Sequence, residues 1–401
     1  MKLSISKHFT AIVLSLGMML SSFSVFPPIL ATTGNAAGTE IRYIITNPYE
    51  DVDWSAYGQY KAGLHLHTTN SDGHCTAAQM TEEHYTLGYD IIALTDHNYL
   101  SPDLNRANGG VSVARMAEME AGTGRDGRGM IGIFSTNEQS QTDHINTYWS
   151  PFNNEPGDSV TDILKRTQDL GGIALINHPG RYTGGESSAN ASSNPVNVGK
   201  YVEFFNNFSG TVGIEIIGKL DYESQSDRIL WDNILMRLMP EGRPVWGFSD
   251  DDSHYLEAIG YSFNIMLMPE LSQAETAKAM EKGALYAVSR VDRREVINAT
   301  LPDGAAMPAS GTANTLYLLN QPTPAITSIV TANNAITLTG TNYDVIEWIA
   351  DGVKIATGTT LHLDEHQDKL HSYVRAHLRS STGIAYTQPF GILTEGPASH
   401  Q

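Results

Sequence analysis

The sequence has little cysteine, few basic residues and almost no long apolar run. Its one cysteine, Cys75, cannot form an intrachain disulfide, so core burial and, we expect, metal binding hold the fold together. The 25 Lys and Arg residues stand against 44 Asp and Glu residues, which gives a formal net charge of −19. Such an acidic chain offers no general binding surface for nucleic acid or anionic lipid. The net charge does not exclude a local basic pocket.

The one long apolar segment lies at the N-terminus. Lys2 and Lys7 precede an apolar stretch over residues 9–20, and the small residues around Ala36 and Ala37 are typical of a signal-peptidase cleavage site. We therefore predict a secretory signal over residues 1–37, a secreted or extracytoplasmic mature protein, and no membrane span after cleavage. A retained anchor is the alternative, but the run is shorter than the roughly 20 residues that a span needs.

Short apolar runs alternate with amphipathic stretches between residues 43 and 300. This alternation predicts parallel strands joined by helical crossovers, and seven such units favour a closed or nearly closed barrel. In barrels of this type the chemistry lies at the C-terminal ends of the strands. The predicted strands are 61–67, 90–95, 130–135, 173–177, 212–217, 244–249 and 265–268, and the predicted helices are 76–87, 111–121, 159–170, 197–208, 227–238 and 273–281.

The pattern changes after residue 300. Residues 301–313 are rich in Pro, Gly, Ala and Ser and are predicted to be a linker. Short β-rich runs with turn signals follow, so residues 314–401 are predicted to form a small antiparallel β-sandwich of immunoglobulin-like type. A sandwich of this kind could contact a glycan or a cell surface.

The strongest chemical signal is an H-x-H pair in the first predicted strand. His65 and His67 share one face of that strand, and Asp72 follows in the next turn. Two imidazoles at a strand end are half of a metal site, although two isolated histidines could equally pack or face solvent.

Repetition at other strand ends favours the metal interpretation. Eight histidines lie between residues 43 and 300, and six of them fall at predicted strand ends or in the turns just after them. The additional candidates are His97, Glu138, His144, His178, Asp252 and His254. Asp250 is an alternative to Asp252 if its strand ends earlier. Mixed His and carboxylate ligands suit zinc, manganese or iron without selecting among them.

Taken together, H-x-H-x4-D-G, T-D-H, N-H-P and D-x-H resemble the motifs of the PHP family, the phosphoesterase domains related to histidinol phosphatase and to the polymerase-associated domain. The resemblance implies a distorted (β/α)7 barrel over residues 43–300 with two or three divalent metal ions at its C-terminal face. It implies Glu138 as a bridging carboxylate, and the signal and the sandwich resemble a secreted, carbaryl-hydrolase-like subgroup. The implied ligands are His65, His67, Asp72, His97, Glu138, His144, His178, Asp252 and His254.

We therefore expect an exported metal-dependent hydrolase, a phosphoesterase that cleaves small-molecule phosphate mono- or diesters with hydroxide activated by the metal cluster. Arg181 could grip a phosphate with its planar guanidinium. Asp96 and Asp143 each precede a ligand histidine and could orient it, or could cap a turn. The alternatives are a carboxylic or carbamic ester hydrolase at the same metal site, and a non-catalytic extracellular binding module.

Overall fold

The computed structural model describes residues 41–185, 188–218, 224–290 and 319–394. The predicted signal sequence over 1–37 and the predicted linker over 301–313 lie outside the described residues. The chain from Ile41 to Gln401 is one compact unit. Within the described ranges, no helix combines the length and the apolar character that crossing a membrane requires.

Strands and helices alternate in the first two thirds of this unit, and strands dominate the last third. The described helices are α1 Ala77–Thr86, α2 Val113–Glu120, α3 Val160–Asp169, α4 Pro195–Asn207, α5 Ser224–Leu238 and α6 Gln273–Lys282. The described strands are β1 Tyr43–Thr46, β2 Gly58–Gly63, β3 Ile91–Ile92, β4 Ile131–Gly132, β5 Asn137–Gln139, β6 Ile145–Tyr148, β7 Ile173–Ile176, β8 Thr211–Gly218, β9 Trp246–Asp250, β10 Ser262–Met268, β11 Leu285–Ser289, β12 Ala325–Ala332, β13 Ala335–Thr341, β14 Val345–Ala350, β15 Val353–Thr357, β16 Thr360–His362, β17 Tyr373–Ser380, β18 Gly383–Tyr386 and β19 Phe390–Thr394.

The helix ends follow the local sequence. Thr76 caps α1 by accepting a hydrogen bond from the backbone N–H of Gln79, whose side chain reciprocates, and Ser159 forms the same capping box at α3. Gly283 ends α6 with a φ of 71°, a left-handed conformation that favours glycine over residues with a side chain. These caps fix where each chain segment turns back toward the sheets.

The described strands form three sheets. The largest runs in the order β1-β19-β17-β18-β11-β10-β2-β3-β4, with β14 paired to β17 and β15 paired to β14. A second sheet has the order β5-β6-β7-β8-β9, and a third has the order β12-β13-β16. The site described below lies where strand ends of the first two sheets meet.

Strand direction agrees with the prediction in part. The runs β2-β3-β4 and β7-β8-β9 are parallel, as predicted, and the fully buried β7 has the continuous apolar sequence of a strand covered on both faces. The expectation of parallel pairing throughout is wrong at β10, which is antiparallel to β2 and β11. The strand β6, which was not predicted, is antiparallel to β5 and β7. The short loop between β5 and β6 leaves no room for the crossover that a parallel pair requires.

The architecture is therefore mixed α/β, as predicted, but the described strand pairings do not form a closed barrel. Isolated parallel bridges join Leu66 to Ser253 and His97 to Glu138, and so link strand ends of the two larger sheets. The (β/α)7 barrel stays a prediction.

The C-terminal strands share a sheet with the N-terminal ones. β1 pairs with β19, and β11 pairs with β18. The small β12-β13-β16 sheet packs on β14 and β17 through one apolar core that includes Ile336, Trp348 and Leu378. The predicted boundaries of the sandwich stay a prediction, but β14, β15, β17, β18 and β19 belong to the same sheet as β2.

Candidate metal centre

Strand ends bring the predicted ligands to one edge of the molecule. His65 and His67 follow β2, His97 follows β3, His178 follows β7, and Asp252 and His254 follow β9. Glu138 lies in β5, and His144 directly precedes β6. Because the carboxyl ends of neighbouring parallel strands meet at the same edge, these distant residues become neighbours in space.

The nine residues predicted as ligands form four overlapping donor groups, in each of which the donor atoms lie within 4.8 Å of one another. The groups are His67, Asp72, His97 and His254; His65, His178 and Asp252; His65, His67 and Glu138; and His97, Glu138 and His144. His65, His67, His97 and Glu138 each belong to two groups, so the four groups describe one continuous cluster.

Glu138 lies at the centre of the cluster and is fully buried. Its Oε1 atom is 3.0 Å from His144 Nδ1, 3.3 Å from His65 Nε2 and 3.5 Å from His178 Nε2. Its Oε2 atom is 2.6 Å from His97 Nδ1. The two oxygens of one carboxylate therefore face different histidines, which is the arrangement that a bridging ligand needs.

The cluster has a buried floor and an open face. His65, His67 and Glu138 have no exposed side-chain surface, and Asp252 is nearly as buried. On the other side the Asp72 side chain is 57% exposed, with its Oδ1 atom 3.4 Å from His254 Nε2. A ligand from solvent can therefore reach the cluster from the side of Asp72.

The donor spacing fits divalent cations. Bonds of 2.0–2.2 Å to a tetrahedral ion place two donors about 3.4 Å apart, and here His67 Nε2 lies 3.0 Å from Asp252 Oδ1 and 3.6 Å from Glu138 Oε2. The buried atoms His97 Nδ1, His144 Nδ1 and Glu138 Oε2 make no well-formed hydrogen bond in the structure. Buried polar atoms that approach one another without hydrogen bonds are typical of side chains that share a cation. The donor set suits a divalent transition metal and does not select one.

The charges of the cluster are mutually dependent. Burial would lower the pKa of His65, but the carboxylates of Asp252, Glu138 and Glu215 outweigh burial and raise that pKa well above its usual value. Burial would raise the pKa of Glu138, yet the nearby imidazoles of His65, His144 and His178 hold that pKa well below its usual value. Protons on the histidines and cations in the cluster therefore compete for the same carboxylates.

The structure gives Asp96 and Asp143 contacts on separate segments of the chain. Asp96 accepts hydrogen bonds from the Thr68 backbone N–H at 2.6 Å and from the Ser71 hydroxyl at 2.9 Å, so its carboxylate braces the loop that carries Asp72 rather than orienting His97. Asp143 accepts from the Tyr201 hydroxyl at 2.8 Å and from Lys200. Asp96 thus holds a turn, which is the alternative that the sequence left open, whereas Asp143 connects the segment before β6 to α4.

Geometry separates the two candidate aspartates after β9. Asp252 belongs to a donor group, and its φ of 45° turns the chain away from the strand direction. Asp250 is fully buried and accepts a hydrogen bond from the Leu64 backbone N–H at 2.6 Å. Asp250 thus connects β9 to the segment after β2 that carries His65, whereas the Asp252 carboxylate faces the histidines.

Glu215 is a site residue that the sequence analysis missed. It is fully buried in β8, accepts a hydrogen bond from His65 Nδ1 at 3.1 Å and accepts another from the His178 backbone N–H at 2.8 Å. A carboxylate at Nδ1 fixes the His65 proton on that atom and leaves Nε2 free to bind a cation. The signal was a lone acidic residue inside an otherwise apolar strand.

Arg181 lies in the short 3₁₀ helix Pro179–Thr183 that follows His178. Its neighbour Tyr182 packs its ring 5.5 Å from the His144 ring and 5.9 Å from the His178 ring, centroid to centroid. Burial raises the pKa of the Tyr182 hydroxyl, and the nearby Arg181 guanidinium opposes that rise. Arg181 therefore lies one residue from a side chain that touches two candidate ligands.

Comparisons with known proteins add solved structures of low similarity. Neither the scan against family models nor the search of curated proteins finds a match. A two-domain protein from Bacteroides vulgatus that contains a predicted PHP-like metal-dependent phosphoesterase is 16% identical, with 86% of this chain and 89% of that chain covered and a TM-score of 0.42. The lesion-specific endonuclease EndoQ from Pyrococcus furiosus is 13% identical over 56% of each chain, with a TM-score of 0.35. An amidohydrolase from Chromobacterium violaceum is 16% identical over 48% of this chain and 87% of that chain, with a TM-score of 0.32. The assignment of the site rests on the side chains of this protein.

Proposed function

We propose that this protein is a metal-dependent hydrolase of the PHP class and that it cleaves phosphoesters of small molecules. The observation that supports this most is the buried Glu138 carboxylate, whose two oxygens face different histidines from separate strand ends. The joint sequence motifs, H-x-H-x4-D-G, T-D-H, N-H-P and D-x-H, support the same class.

The buried and the exposed residues of the cluster would have different roles. The buried floor of His65, His67, Glu138 and Asp252 would hold cations away from solvent, and the open face beside Asp72 would admit the ester. Divalent ions bound there would lower the pKa of a water molecule and neutralise charge on phosphoryl oxygens.

Arg181 is a basic residue close in sequence to the candidate ligand His178. It lies in the 3₁₀ helix Pro179–Thr183, and a guanidinium can pair with two oxygens of a phosphate. A neutral ester offers no such pair of charged oxygens. Arg181 therefore supports the choice of a phosphoester over a carboxylic ester.

The test combines elemental analysis with a substrate panel. We expect two or three divalent transition-metal ions per chain, and faster hydrolysis of chromogenic phosphate mono- or diesters than of a carboxylic ester with the same leaving group. Arg181→Ala should weaken turnover of phosphate substrates more than turnover of neutral ones. Arg106→Ala, which removes an exposed guanidinium paired with Asp103, is the matched control.

Each alternative result of this test would indicate a different function. A wild-type preference for neutral esters would point to a carboxylic or carbamic ester hydrolase on the same metals. Bound metal without turnover of any ester would point to a binding module. Full activity in a metal-free protein would refute the proposal.

We also propose that the protein is exported. The basic residues, apolar stretch and small residues of the N-terminal segment support this. N-terminal sequencing of the mature protein should find a start near Ala37 or Gly38, and an intact Met1 on cytoplasmic protein would contradict it.

A further inference from the structure

Strand β9 lies at the edge of its sheet although its backbone is buried. β8 pairs with one side of β9, and among the described strands none pairs with the other side. Gly247 and Ser249 are nevertheless buried. In an extended strand the N–H and C=O of alternate residues point to the same side, so both residues present a donor and an acceptor that must find partners.

Two carboxamide side chains supply these partners. Gln388 accepts a hydrogen bond from the Gly247 N–H at 2.8 Å and donates one to the Gly247 carbonyl at 2.8 Å. Asn264 accepts from the Ser249 N–H at 2.9 Å and donates to the Ser249 carbonyl at 2.8 Å. Each amide makes the same donor–acceptor pair that a residue of a neighbouring strand would make, and we call these two side chains the amide edge.

The amide edge is itself held in place. Gln388 and Asn264 are almost completely buried. The Gln388 backbone N–H donates to the Tyr49 hydroxyl at 2.7 Å, and that hydroxyl donates to the Leu285 carbonyl at 2.9 Å. Asn264 lies in β10, between β2 and β11. The contacts therefore connect β9 to the largest sheet through fixed side chains.

We propose that Asn264 and Gln388 are positioning residues for the metal centre: they replace the missing neighbour of β9 and so fix the segment that presents Asp252 and His254. This inference rests on the proposed metal binding. β9 ends at Asp250, and Asp252 follows two residues later with a positive φ. Beyond it, the Ser253 carbonyl accepts a hydrogen bond from the His67 N–H at 2.9 Å, so a shift of β9 would move ligands on both strands.

Through Gln388, the C-terminal segment would also help to position the metal ligands. Gln388 lies between β18 and β19, in the segment predicted to form the sandwich, and is 141 residues from Gly247 in sequence. Its side chain is nearly the length of the methionine side chain, so Gln388→Met removes both hydrogen bonds while filling most of the volume.

The experiment compares Gln388→Met with Thr387→Val in the full chain. Thr387 is the adjacent, equally buried residue, and its hydroxyl accepts a hydrogen bond from the Ala376 N–H at 2.9 Å. The control thus removes a buried hydrogen bond from the same segment without touching β9. Two quantities are measured: amide hydrogen exchange of the peptide over residues 245–251 in metal-free protein, and Zn²⁺ affinity by competition with a chromogenic chelator.

We expect Gln388→Met to speed exchange at Gly247 at least several-fold and to weaken Zn²⁺ binding on the order of tenfold. Thr387→Val should leave both quantities within about twofold of the wild type, since an altered side chain with no contact to β9 does not reach the ligands. Unchanged exchange and affinity in Gln388→Met, or equal changes in both variants, would overturn the inference.

Two further cases are distinguished from failure of this inference: a variant that does not fold, and a wild type that binds no Zn²⁺. If Gln388→Met does not fold, Gln388→Asn keeps the amide but shortens its reach by one methylene, and the same effects are expected in weaker form; normal exchange and affinity there would overturn the inference. If the wild type binds no Zn²⁺, the proposed function fails, whereas the exchange measurement still decides whether the amide edge holds β9.

Discussion

Glu215→Gln is the substitution that best tests how the metal centre is organised. Gln has the shape of Glu and keeps one carbonyl oxygen, but one of the two oxygens becomes an NH₂ group. The His178 N–H lies 2.8 Å from Oε2 and can only donate, so the carbonyl oxygen stays there. The NH₂ group must then face His65 Nδ1, which is 3.1 Å from the other oxygen.

This reversal changes the tautomer of His65. When Nδ1 accepts a hydrogen bond, the neutral ring carries its proton on Nε2. Nε2 is the atom that faces the cluster, 3.3 Å from Glu138 Oε1 and 3.4 Å from Asp252 Oδ1. A proton then occupies the position that a cation needs, and the fold around it is unaltered.

The expected magnitude follows from the hydrogen bonds that change. One of the two bonds to Glu215 is kept, so the loss belongs to the range measured for residues that orient metal-bound histidines, ten- to hundredfold in metal affinity. That range equals about 1.4 to 2.7 kcal/mol. Glu215→Ala would lose more, because it removes both bonds and leaves a buried cavity.

The assay is a chelator competition with metal-free protein, accompanied by the melting temperature. Glu347→Gln is the control, because Glu347 is equally buried and accepts hydrogen bonds from Lys354 in β15 and Arg379 in β17. Glu215→Gln should lose affinity while the control does not, even if the control melts at a lower temperature. Wild-type affinity in Glu215→Gln would refute the tautomer reasoning.

Three further predictions follow from other parts of the structure. Glu138→Ala should strip at least one ion and abolish turnover, with an unchanged far-ultraviolet circular dichroism spectrum; full metal content would contradict a bridging role. Burial lowers the pKa of His84 to about 4, below the 6.5 of an unfolded histidine, so the unfolded chain binds the extra proton and stability is lost as pH falls from about 6.5 to about 4. Relative to His84→Gln, the metal-free wild type should lose about 3 kcal/mol of unfolding free energy over that window in urea titrations. The same pH dependence of the unfolding free energy in both proteins would refute this. A chain that ends at Asp303 should be unstable and bind metal poorly, because β11 loses its partner β18 and β9 loses Gln388; a soluble, metal-loaded product would show that the residues before this point fold without the C-terminal strands.

The residues of the candidate metal centre could be read from the sequence because their types are conspicuous at their positions. Histidines and acidic residues that directly follow apolar runs have no role in a core, and several strand ends carry them. The sequence could also place His65 and His67 on one face, since side chains alternate along a strand. What it could not do was separate Asp250 from Asp252, which depends on where β9 ends and on the positive φ that follows.

Strands that lack an apolar pattern were not predicted. β5 has the sequence Asn-Glu-Gln and β6 the sequence Ile-Asn-Thr-Tyr, yet every residue of both is buried. Some of their polar side chains bond to one another, as when the Thr147 hydroxyl donates to the Asn137 side chain at 2.7 Å, and others bond to backbone carbonyls, as Asn146 does to Leu64. A hydrophobic pattern reports burial against apolar neighbours, so a strand buried among polar partners leaves no such trace.

The orienting and edge-forming residues escaped prediction for a related reason. Glu215, Asn264 and Gln388 act through partners elsewhere in the sequence: His65 is 150 residues from Glu215, Ser249 is 15 from Asn264, and Gly247 is 141 from Gln388. Nothing in the neighbouring residues distinguishes a glutamine that completes a strand edge from one in a surface turn. The candidate ligands can be recognised by their chemical type at strand ends. The residues that position them are ordinary amides and carboxylates, and their contacts form only when the sheets pack together. For this reason the C-terminal strands, which the sequence assigns to a separate sandwich, contribute Gln388 to the segment that carries Asp252.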